Sequence, residues 1–291
     1  MGFEHVHEEI GLFLSLDQII MIYLCVCLAL FGLVWGSFVD CAISRWAAGE
    51  KMFTGRSRCM ACGHTLGVLD LIPVFSYLFR RGRCRYCGEK IPAECLLAEL
   101  LGAAGLVCVG LRFGPDAELG IWYFFYSGKP GLLVTSFALA MWLIWWALLL
   151  VLSLTDAAKR IIPNQLLLAL AANRVVWFFL RKEDFSVLWE VLKACIVPVV
   201  LLALVLLAEH FMKRELMGGG DIKLLFALTL YLTWAQLLLS LLAGCLAGLV
   251  LAALTGKKRS AAVPFGPFLA VGALAAVCFG DPLLQWYFSL F

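Results

Sequence analysis

Runs of about 20 almost uncharged residues recur along the 291-residue chain, and no other feature restricts its fold as severely. A helix rising ~1.5 Å per residue crosses a ~30 Å hydrocarbon core in about that length. The chain is 63% hydrophobic and 15% charged, against roughly 45–50% and about 25% in an ordinary soluble domain. Membrane lipid is therefore the expected surrounding. The formal charge of +3 is too small to suggest nucleic acid as a partner.

The pattern predicts an all-α, polytopic fold of eight transmembrane helices, at about 17–43, 92–113, 131–155, 163–180, 187–212, 221–234, 236–255 and 265–287. Pro163 suits a first turn, where its missing N–H would be unbonded anyway. The sixth span is short, and it can also be read as one long helix with the seventh. Three parts follow: a first helix (1–43), a polar loop (44–91) and a helical core (92–291). Residues 2–17 are acidic, unlike the basic start of a cleavable export signal.

Basic residues set the orientation. With loop 44–91 in the cytoplasm, the turns after the third, fifth and seventh spans lie there too. Those segments hold all but seven of the 23 Lys and Arg residues. Merging the sixth and seventh spans would move Lys257, Lys258 and Arg259 outside, against this bias. Lys159, Arg160, Lys213 and Arg214 read as orientation signals. Arg174 is expected to snorkel outward, and Glu209 and His210 to meet a wet interface. Trp142, Trp145 and Trp146 read as lipid-facing or packing residues.

Asp221 follows Met217-Gly218-Gly219-Gly220 and precedes Ile222-Lys223, at the edge of an apolar run. A bare carboxylate costs on the order of 2.5–3.5 kcal/mol at mid-bilayer, so it is a functional candidate by default. The glycines remove bulk and let a substrate backbone approach. Asp156, in Thr155-Asp156, ends the third span on the same side of the membrane. Two carboxylates held close cannot both ionise easily, so one keeps a proton near neutral pH. The charged one can activate water while the other donates to a peptide carbonyl or leaving nitrogen. The competing reading makes each a helix-end residue. Asp221 would suit a helix start, but Asp156 sits at a C-terminus, where negative charge is unfavourable.

Eight of the twelve cysteines lie in or beside apolar runs and read as small buried side chains. The other four form Cys59-Met60-Ala61-Cys62 and Cys84-Arg85-Tyr86-Cys87, with 21 residues between the pairs. Two such turns present four thiolates to one tetrahedral zinc at ~2.3 Å. The gap slightly exceeds the generic spacing of roughly 15–20 residues. A redox pair is the alternative, and cytoplasmic placement disfavours it. His64 reads as a knuckle residue rather than a fifth ligand.

Thr155-Asp156 with Ile162-Pro163-Asn164, and Gly218-Gly219-Gly220-Asp221-Ile222-Lys223, resemble the two active-site motifs of the type IV prepilin peptidases. These are aspartic proteases of the bacterial inner membrane, in the G-x-G-D class that includes presenilin. Gly36-Ser37-Phe38 and Val263-Pro264-Phe265-Gly266-Pro267-Phe268 are similar to the motifs that end the family's first helix and precede its last. The resemblance spans about 32–270. It implies that Asp156 and Asp221 are catalytic, that Gly218, Gly219, Gly220 and Lys223 form the active-site loop, and that a prepilin is the substrate. The four-cysteine spacing, Asp70-Leu71-Ile72-Pro73 and Arg81-Gly82-Arg83-Cys84 resemble the cytoplasmic loop of the long bifunctional members. Those cut after a leader glycine and methylate the new amino terminus with S-adenosylmethionine. The resemblance implies both activities, facing the cytoplasm, with Gly36, Asp40 and Glu99 in the methyltransferase part. Two stretches depart from the family pattern: Val39-Asp40 replaces Leu-Asn, and Pro92-Ala93-Glu94-Cys95 replaces an arginine and a Tyr-Pro pair. The nearest rival is a peptidase without methyltransferase activity. A proton-relay transporter and a non-catalytic zinc-bearing scaffold are the others.

Overall fold

The computed structural model describes residues 16–52, 55–113, 131–181, 186–213, 217–255 and 264–290. Its helices are α1 (Leu16–Ala47), α2 (Phe75–Phe79), α3 (Ala93–Phe113), α4 (Gly131–Lys159), α5 (Asn164–Arg181), α6 (Ser186–Ala194), α7 (Ile196–Met212), α8 (Gly219–Leu228), α9 (Trp234–Thr255) and α10 (Gly266–Phe288). Two isolated bridges are the extended pairing found among the described residues. The fold is all-helical, as the sequence requires.

Among the described residues, six helices are long and apolar enough to cross a membrane, with α6 and α7 counted as one. The remaining two of the eight expected spans form as α5 and α8. Helix α5 carries Asn164, Gln165, Asn173 and Arg174 within its 18 residues, which makes it too polar to count. Helix α8 has ten residues, about 15 Å, and is too short to cross. The fifth span is interrupted at Cys195, between α6 and α7. Pro198 has no N–H to offer the Ala194 carbonyl, so the helical ladder breaks there.

Helix α4 is the centre of the bundle. Its Trp145, Trp146, Leu149 and Leu152 are buried against Leu106 of α3, Leu170 of α5, Leu224 of α8, Leu237 of α9 and Leu269 of α10. Trp145 and Trp146 are thus core residues. Between helices in lipid, close packing replaces the hydrophobic drive, so small residues mark the contacts. A Cβ on Gly36 of α1 would stand 2.3 Å from the Ala98 carbonyl oxygen of α3. One on Gly272 of α10 would stand 2.2 Å from the Ser240 carbonyl oxygen of α9. Gly105 of α3 leaves the space that the Trp146 indole fills.

One end of the bundle is tied by polar groups. Asp281 of α10 accepts from Arg112 of α3 at 3.0 Å and from Gln236 of α9 at 2.7 Å. Asp281 lies 15 residues beyond Gly266, about 22 Å along α10. Short α8 closes its own end, with the carbonyls of Leu225, Phe226, Ala227 and Leu228 accepting from Thr229, Leu230, Tyr231 and Leu232. The turn that follows exposes a further carbonyl, for which lipid supplies no donor. Arg174 supplies one: its Nε donates to the Leu230 carbonyl at 2.7 Å, in the turn after α8. Asn173 donates to the Met141 carbonyl at 3.1 Å and to the Tyr231 hydroxyl at 3.0 Å, and that hydroxyl donates to the Leu170 carbonyl at 2.7 Å. Arg174 therefore turns into the bundle instead of snorkelling outward.

Candidate active site

Asp156 occupies the last turn of α4, which Arg160 ends by taking a left-handed backbone (φ +55°) and donating its N–H to the Asp156 carbonyl at 2.8 Å. The Asp156 side chain is buried, and its Oδ2 accepts the Gly266 N–H at 2.9 Å. Gly266 is the first residue of α10, so this N–H is one of the donors that a helix start leaves without a partner. A negative charge misplaced at the C-terminus of α4 is thereby set against the positive end of α10. A Cβ on Gly266 would lie 2.7 Å from Asp156 Oδ2, so this approach requires glycine. The part of the Val263–Phe268 motif that falls on described residues, from Pro264 onward, thus serves Asp156.

Asp221 is the third residue of α8, and its N–H donates to the carbonyl of the N-cap residue Gly218 at 3.0 Å. Gly218 is extended, at φ −66° and ψ 137°, and none of the three glycines has a positive φ. Their value is space, not backbone freedom. A Cβ on Gly219 would meet nothing within 4 Å, whereas one on Gly220 would press on Ile162 Cβ at 3.2 Å. Ile162 therefore seats the stretch after Asp156 directly on the glycines before Asp221. Lys223 reaches across the same junction, donating to Asn164 Oδ1 of α5 at 3.4 Å. Glu209 of α7 accepts the Met217 N–H at 3.5 Å and so holds the start of the glycine run.

Helix α8 is not one of the crossing helices. Burial first, and then the neighbouring Asp156 carboxylate, push the Asp221 carboxyl up to about 6. Two acidic groups from distant parts of the chain thus feel each other's charge.

The loop between α1 and α3 is built from a repeated unit. Arg58-Cys59-Met60-Ala61-Cys62-Gly63 and Arg83-Cys84-Arg85-Tyr86-Cys87-Gly88 fold alike. The Cys59 N–H donates to the His64 carbonyl and the Cys84 N–H to the Glu89 carbonyl, at 2.9 and 2.8 Å. Gly63 and Gly88 close the two turns at φ +70° and +73°, a conformation that favours glycine. The four sulfurs all lie within 4.8 Å of one another, with Cys59 and Cys87 3.9 Å apart. Tetrahedral zinc with ~2.3 Å bonds requires about 3.8 Å between sulfurs, so the cluster could hold a zinc ion. The Cys62 and Ala61 N–H groups bond to the Cys59 sulfur and lower its thiol to about 7. The His64 ring lies outside the cluster, against Tyr86 at 3.6 Å between centroids. Asp70 braces the unit, accepting from Gly67 N–H and the Tyr86 hydroxyl and pairing with Arg80 at 2.8 Å. Burial works against its charge, but those three groups outweigh burial and hold its carboxyl below the usual range.

Gly36, Asp40 and Glu99 come together where α1 and α3 meet. Gly36 lies on the backbone of Ala98 and Glu99. Asp40 accepts from the Cys95 thiol beside Glu94, and Glu99 lies near the same thiol. Glu99 Oε2 accepts the Val74 N–H at 2.7 Å. Val74 itself sits at φ +61° and ψ −51°, and the Phe75 N–H donates to the Pro73 carbonyl at 2.6 Å. That is a γ-turn with positive φ, a strained form for a β-branched residue. Lys159, at the end of α4, lies 3.6 Å over the Trp46 ring of α1 and joins the two halves.

Fold and site define a class: a polytopic helical membrane protein with two carboxylates, one buried and one half-buried, at one end of the bundle. Residues 30–113 match the bacterial Peptidase A24 N-terminal domain, and residues 141–253 match the type IV leader peptidase family. The prepilin leader peptidase/N-methyltransferase of Aeromonas hydrophila is 32% identical over 290 residues, covering 90% of this chain and 93% of its own. That of Bacillus subtilis (strain 168) is 30% identical over 272 residues, covering 90% and 97%. No solved structure matches the chain. The chain belongs to the type IV prepilin leader peptidase family and is a multi-pass membrane protein.

Proposed function

We propose that this protein cleaves the leader of type IV prepilin-like proteins at the cytoplasmic face of the bacterial inner membrane, with Asp156 and Asp221 as its catalytic residues. The observation that carries the reading is the meeting of the two carboxylates, with Asp156 raising Asp221. In the active form, present below about pH 6, Asp156 holds the negative charge, facing the Gly266 N–H, and Asp221 holds the proton. Asp156 takes a proton from water as that water attacks the scissile carbonyl. Asp221 gives its proton to the carbonyl oxygen. Asp156 then passes its proton to the leaving nitrogen as the C–N bond breaks, and the collapsing diol returns a proton to Asp221. The open space at Gly219 admits the substrate strand. The apolar stretch of the prepilin lies in the bilayer beside the bundle.

The same reading extends to N-methylation of the new amino terminus. S-Adenosylmethionine supplies the methyl group when bound. Asp40, Glu94 and Glu99 form an acidic patch suited to a cationic sulfonium or amine, and a carboxylate there would take the proton that a reactive amine must lose. The four-cysteine loop, whose cluster could hold zinc, is tied to this patch by the Val74 N–H bond to Glu99. The parts are then a first helix (1–43), the loop (44–91) and the peptidase core (92–291).

The test is to incubate detergent-solubilised protein with a prepilin and S-adenosylmethionine and weigh both products. Asp156→Asn and Asp221→Asn should each slow cleavage at least ~10²-fold. Normal cutting by a folded Asp156→Asn protein would end the proposal. A mature terminus without methyl would reduce it to a peptidase alone.

A further inference from the structure

The loop between α1 and α3 exposes an apolar surface that the bundle does not cover. Val68, Leu69, Ile72, Phe75, Leu78 and Phe79 all face outward, Phe79 by 85% and Val68 by 79%. Such a patch on a polar loop marks an interaction site. Its position is set by the bond from Val74 N–H to Glu99. Glu99 is the seventh residue of the 21-residue helix α3, about 9 Å along it. At about 31 Å, α3 is only as long as a hydrocarbon core is thick. A segment pinned to Glu99 therefore lies within about 9 Å of the boundary of headgroups and acyl chains, in the upper acyl region. Both ends of the loop also run into helices that cross the membrane.

The charges agree with that depth. Arg80-Arg81-Gly82-Arg83-Cys84-Arg85 follows the apolar segment at once. Arg80 turns back to Asp70, while Arg81 and Arg85 are exposed.

We propose that residues 68–79 form an interfacial anchor: their apolar side chains enter the upper acyl region of the anionic leaflet, and the arginines behind them meet lipid phosphates. Lipid is the occupant because the segment is fixed at membrane depth by Glu99, whether or not substrate is present. The anchor holds the four-cysteine loop against the bilayer surface. It stands independently of the peptidase and methyl-transfer readings.

The full chain, carrying p-benzoylphenylalanine in place of Phe79 or of Leu69, is reconstituted in nanodiscs of phosphatidylethanolamine and phosphatidylglycerol and irradiated. Both positions are exposed, so the probe displaces no packed side chain, and unchanged helicity and elution verify the fold. The expected product is a phospholipid adduct at both positions, with phosphatidylglycerol about two-fold above its share of the disc. Folded protein giving no lipid adduct at either position overturns the proposal. So does an added prepilin that displaces the lipid adduct with its own.

Discussion

The Gly266 N–H stands 2.9 Å from Asp156 Oδ2, and this bond joins the end of α4 to the start of α10. It gives an unpartnered helix-start donor an acceptor, and it gives a buried carboxylate the positive end of a helix. Neither group is satisfied within its own helix.

Gly266→Ala should therefore damage activity more than stability. The new Cβ would lie 2.7 Å from Oδ2 and 3.1 Å from the carboxyl carbon, forcing the Asp156 side chain off its position. Cleavage should fall by ~10-fold or more, since displacing a positioned group by about 1 Å costs that much or beyond. Thermal unfolding should move little. Cleavage rates and melting curves on the same preparation decide it.

Asp221 titrates near 6 because burial and the Asp156 charge both oppose its ionisation. Its proton is present below that pH and lost above it, so cleavage that depends on the acid form should decline as pH rises through about 6. In Asp156→Asn the charge is gone and burial alone remains, so the Asp221 midpoint should move down. The infrared carbonyl band of the protonated carboxyl reports this without activity. An unmoved midpoint would mean that the two groups do not interact.

The glycines before Asp221 should separate by role. Gly219→Ala meets no neighbour, so the fold should keep its stability while the methyl narrows the substrate path and lowers kcat/KM. Gly220→Ala presses on Ile162, 3.2 Å from the new Cβ, and should lose stability as well as activity. Parallel kinetics and melts distinguish the two. Equal effects from both variants would remove the steric reading of Gly219.

Much of this was legible in the sequence. Carboxylates at the edges of apolar runs are costly enough to announce themselves, and Asp156 and Asp221 were found that way. The C-x-x-C pairs and the helix positions followed from spacing and run length. What could not be read was backbone chemistry. The partner of Asp156 is an N–H, which carries no side-chain signature, and only the Phe265-Gly266-Pro267 stretch hinted at it. Helices form at all eight expected places, but α5 is polar and α8 short, so six are long and apolar enough to cross among the described residues. Run length says nothing of how a polar helix is satisfied. Arg174 was read as snorkelling since its acceptor, the Leu230 carbonyl, exists only once α8 stops short. The repeat of Arg-Cys-x-x-Cys-Gly was visible in the chain and would have predicted the paired knuckles.

Arg174→Leu should expose that dependence. The Leu230 carbonyl would lose the 2.7 Å donor at a depth where little water replaces it, a cost of about 1–3 kcal/mol. Melting in detergent should fall accordingly. Cleavage should fall with it, because α8 carries Asp221. Full stability in the variant would mean that water satisfies the turn.

Metal removal should separate the two halves of the protein. The loop is tied to α1 and α3 through Glu99, and internally through Asp70. Asp156 and Asp221 are held from α4, α7, α8 and α10, through Gly266, Ile162 and Glu209. The Lys159–Trp46 contact ties α1 to the carboxylate end of α4, while other links between loop-side and carboxylate-side helices, Gly105–Trp146 and Arg112–Asp281, lie further along the bundle. Stripping zinc with a chelator, or replacing Cys59 with serine, should therefore unfold the knuckles and abolish methylation. Leader cleavage should stay within roughly two-fold, as expected of sites with few shared partners. Product masses from one reaction give both numbers. Equal loss of both activities would show that the peptidase carboxylates depend on the loop after all, and would direct attention to Lys159 and Trp46 as the route.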